Sequence, residues 1–188
     1  MLPAASWPEA VAELPLVIVL ASGRGERFLA TGGKVHKLQA LLAGKTVLQH
    51  TLAAVQASGL PYHLEQEAHP GMGDSIAAAV RATQGASAWM ILPADLPLIR
   101  PETLRLIAAA PPTQEVVIPV YQGQRGHPVR FSKTCGSQLM ALSGQQGAVV
   151  LVRSRTVTEI QVSDIGCVTD IDTLQDWERA LQLLQQHP

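Results

Sequence analysis

The sequence predicts an α/β protein, a three-layer α/β/α arrangement around an open, mostly parallel sheet. Three observations predict it. Two apolar runs, LVIVLA at 16–21 and AWMILP at 88–93, are continuous rather than alternating, as strands buried on both faces are. Segments with helical spacing then follow strand-like segments through most of the chain, the pattern of helices covering both faces of a sheet. Finally, 47% of the residues are apolar, 15% charged and only 4% aromatic, so an ordered core must be built from Ala, Val, Leu and Ile. A chain of 188 residues is the length of one domain, taken as 1–188 with a flexible tail at 1–14.

In chain order, the run at 16–21 is the first strand, and a glycine-rich loop at 22–33 follows it. Val47, Leu48, Leu52, Ala54 and Val55 recur at helical spacing over 46–58, and Gly59 stands where a helix ends. Residues 61–66 read as a more exposed strand. Gly71 and Gly73 lead into a helix at 74–84, with Asp74 or Ser75 as its N-cap. After the strand at 88–93, Pro101 and Glu102 open a helix, since proline fits the first turn and an acid favours its positive end. A strand at 115–120, a loop containing Gly126-His127-Pro128, and an extended 129–131 come next. A short helix at 136–142, an apolar segment at 147–152, strands at 157–162 and 168–171 and an amphipathic helix at 173–186 complete the pattern.

Formal charge is −1, which argues against a generally basic nucleic-acid-binding surface. No apolar run approaches the roughly 18 residues needed to span a bilayer, so no membrane partner is expected. The first 15 residues carry Glu9 and Glu13 and do not read as a signal peptide. Cys135 and Cys167 lie outside metal-type spacing and read as buried thiols, and the expected location is cytoplasmic. Local charge is uneven. Residues 22–50 hold Arg24, Arg27, Lys34, Lys37 and Lys45 with Glu26 as the one acid, whereas 159–178 holds six acids and no Lys or Arg. A local basic loop in a near-neutral chain suggests a compact polyanion such as a triphosphate.

The segment Leu20-Ala21-Ser22-Gly23-Arg24-Gly25-Glu26-Arg27-Phe28 follows the first strand directly. Gly23 and Gly25 permit backbone angles that let successive N–H groups turn inward on an anion. Arg24 and Arg27 add charged donors suited to phosphate. A Walker loop is excluded, because Gly32-Gly33-Lys34 is followed by Val35, which has no hydroxyl. A dinucleotide fingerprint fails too, with Phe28 at the third glycine and no acid from 27 to 64. Asp95, in PADLP, lies beyond the carboxyl end of the 88–93 strand and faces the same crevice. Magnesium takes one or two carboxylates together with substrate phosphates, so Asp95 suits Mg²⁺ held against a triphosphate. Asp170 and Asp172, in DIDT, either complete that metal shell or belong with Thr173 to a helix cap. The GMGDS segment, with Gly73 and Ser75, opens a helix whose N-terminus can receive a nucleotide group. Gly126, His127 and Pro128 stand between Arg125 and Arg130, and His127 either touches an acceptor or is a solvated loop residue. His36, His63 and His69 show no ligand spacing, and Ser22 lacks a nucleophile elbow.

Taken in order, LASGRGERF with Lys37, GMGDS, PADLP, RGHP and DIDTLQD resemble the nucleotidyltransferases of molybdenum cofactor biosynthesis, most nearly the cytidylyltransferase branch. The resemblance runs from about Leu16 to Leu181 and implies a Rossmann-like nucleotidyltransferase fold. It implies CTP, a molybdopterin-type acceptor, Mg²⁺ and a molybdenum hydroxylase as recipient. By the same resemblance Leu20 to Gly25 would bind the nucleotide through backbone, Arg27 and Lys37 would neutralise its phosphates, and Asp95 would hold the metal. Gly126 to Pro128 would lie beside the pterin. The chain departs from the family pattern at Ser22, at Gln145 and Gln146 where acids are usual, and at 60–70. There the family carries a further strand and helix, so a sheet shortened by one βα unit is expected. Transfer from GTP to another phosphorylated acceptor, or a non-catalytic cofactor carrier, are the alternatives.

Overall fold

The computed structural model describes residues 14–23 and 25–186. β1 (Leu16–Leu20) lies between β4 (Tyr62–Glu65) and β5 (Ala88–Pro93), parallel to both. Beyond β5 comes β8 (Val129–Ser132), antiparallel to it and to β6 (Val116–Tyr121). β6 in turn pairs in parallel with β9 (Val157–Gln161) and antiparallel with the short β7 (Gln124–Arg125). These make one seven-stranded sheet in which the longer strands other than β8 share a direction. A separate two-stranded ribbon, β2 (Leu41–Leu42) with β3 (Lys45–Thr46), lies inside the segment that precedes the second helix.

Alternation of side chains along β1 explains why its apolar run is unbroken. Val17 and Val19 enter one core with Phe28 of α1 (Glu26–Ala30), Val55 of α2 (Val47–Ser58), Leu104 of α4 (Pro101–Ala108) and Ala180 of α7 (Leu174–Gln186). Leu16 and Ile18 enter the opposite core with Ile76 and Val80 of α3 (Met72–Ala82), Leu139 of α5 (Gly136–Met140) and Leu151 of α6 (Val149–Ser154). β5 divides the same way, Met90 and Leu92 to the first core, Trp89 and Ile91 to the second. Each fully buried Val or Ile contributes about 1.5–3 kcal/mol. A one-residue slip would exchange the two sets, so the register is strongly specified.

Several local expectations are corrected. α3 starts two residues earlier than its pattern suggested, with Gly71 as N-cap. The Asp74 carboxylate instead accepts from the Gly144 N–H at 2.9 Å, and the Ser75 hydroxyl pairs with that of Ser22 at 2.8 Å. The expected 22–33 loop contains α1, held by Thr31 Oγ1 donating to the carbonyls of Arg27 and Phe28. The apolar 147–152 segment is largely helical, as α6. No strand forms at 168–171; Ile165–Val168 is a 3₁₀ turn, capped by Asp164 accepting from Gly166 N–H. Gly166 packs there directly on the Leu98 carbonyl, so the chain crosses the adjoining turn instead of extending beside a strand. Among the described residues no helix is long and apolar enough to cross a membrane.

Candidate active site

The chain passes from β1 to β4 on one side and then crosses by α3 to β5 on the other, which opens a crevice beyond the carboxyl ends of β1 and β5. Leu20 registers with Pro93, and Ala94 N–H donates to the Leu20 carbonyl at 3.0 Å. The glycine-rich loop and the turn carrying Asp95 therefore leave the sheet side by side. Gly25 has φ +66°, a left-handed angle that favours glycine, and a Cβ there would stand 3.1 Å from the His36 ring. His36 Nδ1 accepts from Leu38 N–H at 3.3 Å, which leaves the proton on Nε2 to donate to the Gly23 carbonyl at 2.7 Å. This imidazole ties the loop to the 3₁₀ turn at Lys37–Gln39 and so positions Lys37.

Lys37 is the centre of the cleft. Its Nζ donates to Asp95 Oδ2 at 2.6 Å and to Asp172 Oδ1 at 2.9 Å. Arg27 Nη1 holds the other Asp172 oxygen at 2.8 Å. Burial by itself would lower the Lys37 pKa, but the charges and hydrogen bonds of Asp95 and Asp172 outweigh it and hold the ammonium above its ordinary value. Arg27 is 77% exposed, so its ion pair is solvent-screened and contributes little to stability; its charge remains available to a ligand. Asp170 is raised above the usual aspartate value, first by burial and then by the charges of Asp95, Asp172 and Asp176. His127 is lowered, because burial outweighs the attraction of Asp95 and a bond to the Ile91 backbone. It is thus a neutral imidazole whose buried Nδ1 has no partner.

The cleft has a volume of about 770 Å³ and brings together most of the residues expected from sequence. Leu20, Ser22, Gly23, Gly25, Arg27, Lys37, Ser75, Asp95, Gly126, His127, Asp170 and Asp172 all line it. Arg24 lies outside the described residues. Three residues do not line it. Ala21 sits against the core and donates its N–H to the Glu65 carbonyl at 2.8 Å. Gly73 is buried, donates to the Gly144 carbonyl at 2.8 Å, and has the Ser143 backbone where a Cβ would be. Pro128 is buried behind His127. Sequence reasoning missed the tie made by His36 and the presence of Gln124 and Arg125 on the wall. Gln145, singled out only as the place of a missing acid, also lines the cleft and donates its side-chain amide to the Pro70 carbonyl at 2.7 Å.

Oxygen donors suited to a hard cation are present. Asp95 Oδ1 is buried without a hydrogen-bond partner, an expensive condition for a carboxylate oxygen, and Asp170 and Asp172 line the same cleft. A divalent metal fits this set.

A family model described as the MobA-like NTP transferase domain matches residues 52–160. The chain belongs to the MobA-like NTP transferase family. Among curated proteins, a MobA-like chain such as this is 27% identical over 191 residues to the purine catabolism protein PucB of Bacillus subtilis (strain 168), covering 86% of this chain and 93% of that one. Among solved structures, Rv0371c from Mycobacterium tuberculosis H37Rv superposes with a TM-score of 0.76 at 26% identity, covering 90% of this chain and 97% of that one. Molybdopterin-guanine dinucleotide biosynthesis protein A from Archaeoglobus fulgidus shares the fold, with a TM-score of 0.66 at 18% identity over 91% of this chain and 99% of that one.

Proposed function

We propose that this MobA-like transferase uses Mg²⁺ and CTP to transfer a cytidylyl group to the terminal phosphate of a molybdopterin-type acceptor, giving the cytosine dinucleotide cofactor and pyrophosphate. The recipient is a molybdenum hydroxylase in the cytoplasm. The observation that carries this reading is the convergence of Lys37, Arg27, Asp95 and Asp172 beyond β1 and β5. Membership of the MobA-like family is consistent with this acceptor class, while the molybdopterin-guanine dinucleotide protein and a CTP-bound synthetase among the structural neighbours, 18% and 14% identical, share the fold alone.

The acceptor phosphate attacks the α-phosphorus, the bond to the β-phosphate oxygen breaks, and pyrophosphate leaves; no covalent intermediate on the protein is needed. Asp95, with Asp170 and Asp172, would hold the metal, which supplies charge neutralisation to the phosphates. The chain's own part is positioning and electrostatics. The backbone from Leu20 to Gly25 receives the nucleotide, with Ser22 and Ser75 fixed on each other at 2.8 Å. Lys37 and Arg27 offset the negative charge that develops on the leaving group. Neutral His127, which lines the cleft with Gly126, offers a hydrogen-bonding ring to the acceptor rather than a charge.

Pyrophosphate release with CTP, GTP or ATP, each with the acceptor and with or without Mg²⁺, tests the reading. CTP with Mg²⁺ is expected to be the best substrate. Lys37→Ala and Asp95→Ala should each lose about 10²–10³ in rate, the usual effect of removing one preorganised charge contact. A folded variant with unchanged turnover overturns the site. Preference for GTP moves the assignment to guanylyl transfer, and tight cofactor binding without pyrophosphate release decides for a carrier.

A further inference from the structure

The two histidines for which the sequence showed no ligand spacing are brought by the fold to one carboxylate. β4 is the edge of the sheet, and its last residue, Glu65, is 6% exposed. Two residues earlier on the same face stands His63, and His69 follows in the connection to α3. His69 Nε2 lies 3.3 Å from Glu65 Oε1, and His63 Nε2 lies 3.5 Å from Glu65 Oε2. Both nitrogens are buried and neither has a hydrogen-bond partner. The exposed Glu67 joins them: donor atoms of Glu65, Glu67 and His69 all lie within 4.8 Å of one another.

These separations do not suit charge-assisted hydrogen bonds, which run at about 2.7–2.9 Å. They suit donors around an ion. With metal–ligand bonds of about 2.0–2.1 Å, neighbouring ligands of a tetrahedral site stand about 3.3 Å apart, as His69 Nε2 and Glu65 Oε1 do. We infer that Glu65, Glu67 and His69 form a zinc site at the end of edge strand β4, distinct from the Asp95, Asp170 and Asp172 carboxylates. One imidazole with two carboxylates is a borderline donor set that takes Zn²⁺ in preference to Mg²⁺, which keeps an octahedral shell of oxygens. Three protein ligands leave a fourth position to water. In the proposed site His63 stands beside the second Glu65 oxygen, 3.5 Å away, in the outer shell rather than among the ligands.

The site has a mechanical consequence for the cleft. His69 also lines the cleft wall. The next residue, Pro70, accepts from Gln145, and Gly71 caps α3. An ion here pins the 66–70 connection to the sheet edge and so stiffens the lip between β4 and α3.

The test uses the full chain carrying Asp95→Asn, Asp170→Asn and Asp172→Asn, so that the cleft carboxylates do not compete. The protein is stripped with chelator and titrated with zinc against a chromophoric competitor, and metal content is read by mass spectrometry after dialysis. We expect one zinc per chain, undisturbed by millimolar Mg²⁺ and accompanied by a rise in Tm. His69→Ala and Glu67→Gln should each weaken binding by about a hundredfold, and His63→Ala by about tenfold, the size of an outer-shell loss. Glu67 is exposed, so Glu67→Gln keeps the fold and gives a result even where His69→Ala does not. Failure of the folded protein to hold zinc, or equal retention by Glu67→Gln and His69→Ala, overturns the site. Neither outcome bears on nucleotidyl transfer, which is read with Asp95, Asp170 and Asp172 intact.

Discussion

Lys37 shows how one side chain acquires a role that its own surroundings would deny it. Buried alone, its ammonium would have a lowered pKa; between Asp95 and Asp172 the pKa is instead held above its usual value, and the two carboxylates are kept from repelling each other. Cys167 is the reverse case. Burial first, and the charge of Asp164 second, push its thiol up to about 12, and Cys135 is fully buried. The thiolate is the reactive form. Native protein at pH 8 should therefore release no colour with a disulfide reagent over minutes, and two equivalents per chain after denaturation. Rapid native reaction would mean that the 3₁₀ turn at Ile165–Val168 opens more readily than its packing implies.

Among elements, α4 and α7 are capped in two different ways, one from a distant segment and one locally. α4 lacks a cap from its own Arg100 side chain; Asp164, far along the chain, accepts from Arg100 N–H at 3.0 Å and from Thr103 Oγ1 at 2.6 Å. α7 is capped locally. Thr173 N–H donates to Asp176 Oδ2 at 2.7 Å and Asp176 N–H donates to Thr173 Oγ1 at 3.2 Å, a reciprocal cap that bears out the capping role foreseen for Thr173. Burial alone would raise the Asp176 pKa, but the bonds from Thr173 and Asp172, with the charge of Arg179, lower it below the ordinary value of 3.8. A depressed carboxylate stabilises the fold above its unfolded pKa and loses that contribution as pH falls through the folded one. Asp176→Asn should cost about 1 kcal/mol at pH 7, the usual size of a cap. The gap from wild type in urea unfolding should close as pH drops below about 4. A gap that stays constant to pH 2 would count against the ionic part of the cap.

At the scale of the molecule, the sheet is a device for assembling one cleft from distant segments. β1 supplies the glycine-rich loop, β5 supplies Asp95, the β7–β8 connection supplies His127, and the segment before α7 supplies Asp170 and Asp172. The parts are rigidly backed by two cores, so a nucleotide should order the loops and leave the strands unchanged. Hydrogen exchange with CTP and Mg²⁺ should slow at 21–27, 35–39 and 94–97, while β6 and β9 stay at their free rates. Protection confined to the far end of the sheet would place the nucleotide elsewhere.

Much of this was legible in a single chain because it rests on local pattern. LVIVL and AWMILP had to be strands covered on both sides, since no alternation left a wet face. The basic loop and Asp95 then fell at strand ends, where such folds bind ligands, and the order of motifs, Lys37 included, pointed to the transferase family. Other features rest on partners no short window contains. Gly73 looked like a ligand-binding glycine but is small because the Ser143 backbone passes over it. The strand expected at 168–171 is absent because Gly166 must clear the Leu98 carbonyl. His63 and His69 acquire meaning only where β4 and the following turn bring them to Glu65. Local periodicity selects an element and its buried face; contacts between residues far apart in the chain, which depend on how the elements stack, decide which side chains meet.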